Sequence, residues 1–67
     1  MDTFGTRLAE ALRWNNFTQE GFAEKIDVSG QMVWRYCNDA AYPKVEKLIR
    51  ICKTLNVSAD WLLGLET

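Results

Sequence analysis

The sequence contains no histidine, one proline and two cysteines. Histidine is the commonest general base and metal ligand in proteins, so its absence removes the usual route to both kinds of chemistry. Two cysteines fifteen residues apart supply at most two of the four ligands of a structural zinc site. We therefore expect no metal, no cofactor and no enzymatic activity, and we interpret Cys37 and Cys52 as reduced core residues.

Long apolar runs are missing as well. No stretch approaches the roughly 18 apolar residues that a membrane span requires. The first five residues lack the basic and apolar segments of a signal peptide, and no glycine-rich phosphate loop occurs. The sequence therefore predicts a cytoplasmic protein with no membrane partner and no small-molecule substrate.

An overall basic excess, which would indicate nucleic acid directly, is also absent. Eight basic and nine acidic residues give a net charge of −1. Their distribution is uneven, because residues 28–55 carry five bases and two acids, whereas residues 1–27 carry three bases and five acids. An anionic partner is therefore expected to contact the middle of the chain.

Short stretches of helical periodicity fill the chain, which is 67 residues long and 48% apolar. Apolar residues recur three or four positions apart, and capping or turn residues separate the stretches. This pattern predicts an all-α fold of five short helices in a single domain over residues 1–67. The expected boundaries are stops at Asn16, Asn56 and Gly64, N-caps at Thr18 and Ser29, and Pro43 in the first position of the fourth helix.

The apolar positions of each helix define the expected core. Residues of the first three helices in this set are Phe4, Leu8, Ala11, Leu12, Phe22, Ala23, Ile26, Val33, Tyr36 and Cys37. In the fourth helix they are Val45, Leu48, Ile49, Cys52 and Leu55.

Residues 19–38 have the organisation of a helix-turn-helix motif. Two short helices are joined by a three-residue turn, and the small Ala23 lies where the second helix must cross closely. In such a motif the first helix braces the second, which presents an outward face to a DNA groove.

Two segments resemble the phage repressor and Cro-type (XRE-like) helix-turn-helix family. The segment TQEGFAEKIDVS at 18–29 resembles the start of the family's motif, and LNVSADWLLG at 55–64 resembles its closing helix. The resemblance extends over about residues 4 to 64. It implies a compact five-helix, lambda-repressor-like fold. It also implies a sequence-specific DNA-binding transcriptional regulator, more often a repressor, that dimerises on a two-fold-symmetric operator.

The resemblance further implies roles for single residues. Gln31 and Arg35 match base-contacting positions, where glutamine pairs with adenine and arginine with guanine. Trp34 either contacts a thymine methyl group or packs on neighbouring side chains. Gln19 matches a phosphate-contacting position, and the backbone of Gly30 approaches a phosphate.

The residues themselves suggest the rest of the site. The further phosphate contacts that we expect, at the ends of the third helix and the start of the fourth, are Ser29, Asn38, Lys44 and Lys47. The C-terminal segment has more apolar surface than one small domain can cover, which predicts a weak homodimer through Leu63 and Leu65.

At several positions the sequence differs from the family pattern, and these differences limit how far the roles of the family's residues can be transferred. Asp27 and Asp39 occupy positions that are usually glycine, and Gly21 replaces the glutamate of a capping box. Leu12 and Cys37 replace an arginine–glutamate pair, and the joint change predicts that both lie in the apolar core.

An alternative from another class also fits the sequence. A helical protein-interaction module with the same fold, having lost DNA binding, would explain the net charge of −1 and the outward-facing Trp34. Ala40 and Ala41 support it too, because relatives often have basic residues in this loop.

Overall fold

A computed structural model of the protein describes residues 2–65. Within that range the chain forms five helices and no strand. The helices are α1 (Phe4–Trp14), α2 (Gln19–Ile26), α3 (Gly30–Cys37), α4 (Val45–Leu55) and α5 (Ala59–Leu63). This confirms the predicted all-α architecture. None of these helices combines the length and apolar character needed to cross a membrane.

Four of the helices have a serine or threonine as the N-cap residue. Each of these side chains accepts a hydrogen bond from the backbone amide three residues later, which satisfies one of the free donors at a helix start. The capping residues of α1, α2, α3 and α5 are Thr3, Thr18, Ser29 and Ser58. The predicted caps at Thr18 and Ser29 are thus confirmed.

Residues in the left-handed conformation end or follow each helix. Asparagine, aspartate and glycine adopt this conformation at lower cost than other residues. The residues with positive φ are Asn16, Asp27, Asp39, Asn56 and Gly64, at 57°, 60°, 58°, 56° and 77°. The predicted stops at Asn16, Asn56 and Gly64 are confirmed.

The prediction for Pro43 is wrong. The N-cap of α4 is Lys44, whose extended backbone precedes the helix. The Lys44 carbonyl accepts the first helical bond, from the Leu48 amide at 2.8 Å, and Val45 is the first helical residue. Pro43 therefore restricts the chain before the cap and lies outside the first turn.

The core takes residues from every helix. Its fully or nearly fully buried members are Leu8, Ala11, Leu12, Phe22, Ala23, Ile26, Val33, Tyr36, Ile51, Leu55 and Leu62. Cys37 packs against this cluster and, like Cys52, is a free thiol. Burial, and then the charge of Asp39, raises the pKa of the Cys37 thiol.

The predicted apolar face of α4 needs correction. Ile51 is completely buried, whereas Val45 and Ile49 are 71% and 50% exposed. Leu48, Ile51, Cys52 and Leu55 form the face that meets the core. Because successive residues are about 100° apart around a helix, Ile49 points well away from this face.

Candidate nucleic-acid interface

The turn between α2 and α3 is built from three residues with distinct backbone roles. Asp27 takes the left-handed conformation, and the Val28 amide then donates to the Ala23 carbonyl at 3.0 Å. This is the bond pattern of a Schellman motif, which closes the end of a helix. Ser29 begins α3 directly afterwards, so the turn holds the two helices at a defined angle.

Close packing supports this arrangement of α2 and α3. Ala23 is 3% exposed, and Phe22, Ile26 and Val33 are completely buried around it. A larger side chain at Ala23 would therefore push against the core. One side of α2 and one side of α3 are therefore buried in the core, and the opposite sides face solvent.

The solvent-facing side of α3 carries the predicted base-contacting residues Gln31, Trp34 and Arg35, and the predicted phosphate contact Asn38 follows on the same side. All four are exposed and are spaced at i, i+3, i+4 and i+7, so they share one face. Trp34 is 52% exposed. Among residues 2–65, Arg35 takes part in no ion pair, and its guanidinium is available to an outside acceptor.

The predicted phosphate contacts lie around the ends of α2 and α3. Gln19 is the first residue of α2, and Gly30 is the first residue of α3. The Ser29 Oγ accepts from the Met32 amide at 3.1 Å. Asn38 follows α3, and its Nδ2 donates to the Trp34 carbonyl at 2.8 Å. These bonds orient both side chains near the exposed face of α3.

The two lysines predicted to contact phosphate near the start of α4 differ in their surroundings. Lys44 is exposed, and its side chain makes no capping bond. The Lys47 Nζ instead donates to the Ile26 carbonyl at 2.6 Å, and the Arg50 Nε donates to the Lys25 carbonyl at 3.2 Å. Cations at a helix C-terminus are favourable because they offset its partial negative charge. Lys47 and Arg50 therefore also stabilise the end of α2.

Asp39 joins the loop after α3 to the start of α1. Its carboxylate accepts from the Thr3 hydroxyl at 2.5 Å, from the Gly5 amide at 3.0 Å and from the Tyr42 hydroxyl at 3.2 Å. The bond from Thr3, followed by that from Gly5, holds the pKa of Asp39 below its usual value. The Tyr42 ring also meets Phe4 edge-on, with centroids 5.7 Å apart.

Comparison with known proteins identifies the family. The family model described as helix-turn-helix matches residues 8–62, which is most of the chain. The protein belongs to this helix-turn-helix family. The resemblance to phage repressor and Cro-type proteins is thereby confirmed.

A curated relative shows how far the helix-turn-helix likeness extends along the sequence. The HTH-type transcriptional regulator ImmR of Bacillus subtilis is 34% identical over 62 residues, which cover 92% of this chain and 49% of ImmR. The chain thus spans about half the length of this curated relative.

Two solved structures share the helix-turn-helix fold. The P22 c2 repressor, crystallised with a synthetic operator, has a TM-score of 0.92 at 21% identity, covering 98% of this chain and 100% of that chain. A transcriptional regulator from Listeria innocua has a TM-score of 0.87 at 26% identity, covering 97% of this chain and 61% of that chain.

Hydrogen bonds between distant parts of the chain could not be predicted from the sequence. The left-handed conformation of Asp39 could be expected, but not its bonds to residues more than thirty positions away. The contact between Lys47 and Ile26 was missed for the same reason.

Arg7 was not among the residues that the sequence pattern singled out. Its Nη1 donates to the Trp61 carbonyl at 2.8 Å, and its guanidinium carbon lies 5.3 Å from the centre of the Trp61 ring. The available signal was its spacing, three residues after Phe4, which places it beside the apolar face of α1.

The predicted dimer residues lie at the surface near the end of the described chain. Leu63 is 46% exposed and Leu65 is 66% exposed. Leu63 also lines a shallow apolar groove of about 190 Å³ with Phe4, Tyr42, Pro43 and Leu48. Apolar surface of this kind is typical of contact regions, and the dimer stays a prediction.

Proposed function

We propose that the protein is a sequence-specific DNA-binding transcriptional regulator whose helix α3 enters the major groove of an operator. The observation that carries this proposal is the exposed polar face of α3 on a helix-turn-helix fold. Gln31 and Arg35 lie four residues apart on that face. Glutamine pairs bidentately with adenine and arginine with guanine, so both side chains suit contacts with base edges. Trp34, between them, offers an apolar surface to a thymine methyl group.

Phosphate contacts would orient α3 in the groove. We assign them to Gln19, the Ser29–Gly30 segment, Asn38, Lys44 and Lys47, which flank the exposed face or begin α4. Free amides at the start of a helix favour anions, and lysine adds charge. These contacts carry affinity, whereas Gln31 and Arg35 carry specificity.

The relatives support the proposal. ImmR is named a transcriptional regulator, and the P22 c2 repressor was crystallised with a synthetic operator. The same proposal has three further parts. The protein represses rather than activates transcription, it has no enzymatic activity, and it acts in the cytoplasm, where such a regulator meets DNA.

Salt dependence of DNA binding tests this function. Affinity for nonspecific duplex DNA should fall steeply as salt rises, because phosphate contacts release bound counterions. Lys44→Ala should flatten the slope by about one unit. Lys47→Ala should flatten it less and should also lower the melting temperature, because the variant loses the bond to the Ile26 carbonyl. Fluorescence anisotropy at several salt concentrations, with thermal melts of each variant, gives both quantities.

Salt-independent binding, or no binding at low salt, would contradict DNA recognition. The interaction-module alternative would then be the better interpretation, and Trp34 would be its leading contact residue.

Self-association is the second part of the proposal. We propose a weak homodimer with Leu63 and Leu65 near the two-fold axis, which would place operator half-sites about one helical turn, roughly 34 Å, apart. Sedimentation should show a concentration-dependent dimer, and Leu63→Lys should shift it toward monomer because a charge would enter the apolar contact. Trp34→Ala is the matched control, since it removes an exposed apolar side chain from α3. Monomer at every concentration, with and without DNA, would exclude this dimer.

A further inference from the structure

The loop that follows α3 is fixed to the start of α1 by one carboxylate. Three donors converge on Asp39: the Thr3 hydroxyl, the Gly5 amide and the Tyr42 hydroxyl. The start of α1 also presses directly on the end of α3. A β-carbon placed on Gly5 would lie 2.4 Å from the Cys37 carbonyl oxygen. The backbone at 37–39 therefore has little freedom to move relative to α1.

Asp39 and Tyr42, which share a hydrogen bond, lie between two of the proposed phosphate contacts. Asn38 directly precedes Asp39, and Lys44 follows Tyr42 by two residues. Holding Asp39 and Tyr42 in place therefore limits the positions of Asn38 and Lys44. Without these bonds, the segment between α3 and α4 would have more conformations, and ordering it on DNA would cost affinity.

Asp39 places a negative charge beside the proposed phosphate contacts. An acid beside a DNA-contacting edge repels phosphates, so its simple electrostatic effect is to weaken binding. In this protein the carboxylate is occupied by three donors within the fold. A structural contribution can therefore outweigh the repulsion.

We propose that Asp39 is a positioning residue for DNA binding, holding Asn38 and Lys44 in register with the phosphates through its bonds to Thr3, Gly5 and Tyr42. This inference rests on the proposed DNA-binding function. It assigns Asp39 no contact with DNA.

Two aspartates of the chain form a matched pair for the test. Asp39 and Asp27 each follow a helix and adopt the left-handed conformation, with φ of 58° and 60°. Glycine fits both positions without strain, and each substitution removes one negative charge. They differ in their bonds, because within residues 2–65 the Asp27 carboxylate accepts no hydrogen bond, in contrast to the three at Asp39.

Comparing the DNA affinities of Asp39→Gly and Asp27→Gly distinguishes a positioning role from a simple effect of charge, because the two explanations predict changes of opposite sign for Asp39→Gly. Asp39→Gly should lower affinity for specific and nonspecific duplexes alike by about three- to tenfold. Its base preference should not change. Asp27→Gly should leave affinity unchanged or raise it slightly. If charge alone matters, both variants should bind DNA more tightly. Binding is measured by anisotropy at a temperature where thermal melts show every variant folded.

A double-mutant cycle tests whether Asp39 acts through Lys44. Adding Lys44→Ala to Asp39→Gly should cost less affinity than Lys44→Ala costs in the native chain, because the lysine is already poorly placed. Tyr42→Phe keeps the ring on Phe4 and removes only the hydroxyl bond. It should therefore give a smaller loss in the same direction. Strictly additive effects of Asp39→Gly and Lys44→Ala would overturn the positioning role.

The outcomes also distinguish this inference from the function on which it rests. A native chain without salt-dependent DNA binding would overturn both. If the native chain binds DNA and Asp39→Gly binds equally well or better, DNA binding stands and the positioning role is wrong.

Discussion

Gly5→Ala is expected to destabilise the protein by about 2–3 kcal/mol, because the new methyl group has no space. Gly5 is buried in α1, and its β-carbon would lie 2.4 Å from the Cys37 carbonyl oxygen and 2.6 Å from the Asp39 Oδ2. The first atom belongs to the backbone, and the second belongs to a carboxylate that three hydrogen bonds hold in place, so neither can move away cheaply. For a domain of this size, the melting temperature should fall by roughly 10–20 °C.

Gly30→Ala is the control for this substitution. Its β-carbon would lie 3.5 Å from the Glu20 Cγ, which is ordinary contact. Alanine also favours helix more than glycine, so stability should be unchanged or slightly higher. Thermal or urea unfolding of both variants measures the difference. Equal stability of Gly5→Ala and the native chain would show that α1 does not press on the end of α3 as described.

Local signals explain why the helix boundaries were predictable. A hydroxyl before a helix, as at Thr18 and Ser29, satisfies nearby amides whatever the rest of the fold does. An asparagine such as Asn56 tolerates the left-handed conformation by itself. Pro43 is different, because its fixed φ suits both the first turn and the approach to the helix. Only the path of the loop decides between them.

Predictions that depended on distant partners were less successful. The face of α4 was misplaced because Val45 lies three residues before Leu48 and Ile49 three residues before Cys52, which is the spacing that core residues would have. Only packing against the other helices shows that Ile51 is buried instead. Asp39 could be predicted as a backbone substitute for glycine, but its bond to Thr3 spans 36 residues. Spacing along one helix contains no information about such a contact.

The exposed face of α3 was predictable because its periodicity is local. Gln31, Trp34 and Arg35 share one side of an eight-residue helix, and the buried Val33 and Tyr36 lie on its other side. Which base each side chain contacts depends on the DNA as well as on the helix. That assignment therefore needs measurements of sequence preference.

Arg35→Ala is expected to cost about 1–3 kcal/mol of operator affinity and to relax preference at one base pair. Among the residues that the structure describes, Arg35 is the one cation on the exposed face of α3. Its guanidinium can donate two parallel hydrogen bonds to the O6 and N7 atoms of guanine, and no other base pair offers the same pair of acceptors in the major groove. Selection of bound duplexes from a random pool, followed by affinity measurements on the winners, gives both quantities.

Two further variants separate base contact from charge. Arg35→Lys keeps the positive charge and loses the planar pair of donors, so it should retain nonspecific affinity while losing part of the preference for guanine. Lys44→Ala should weaken all sequences about equally, because a phosphate contact carries no base information. If Arg35→Ala selects the same sequences with the same affinity as the native chain, α3 does not contact bases through this residue. The exposed face would then fit a protein partner better than a DNA groove.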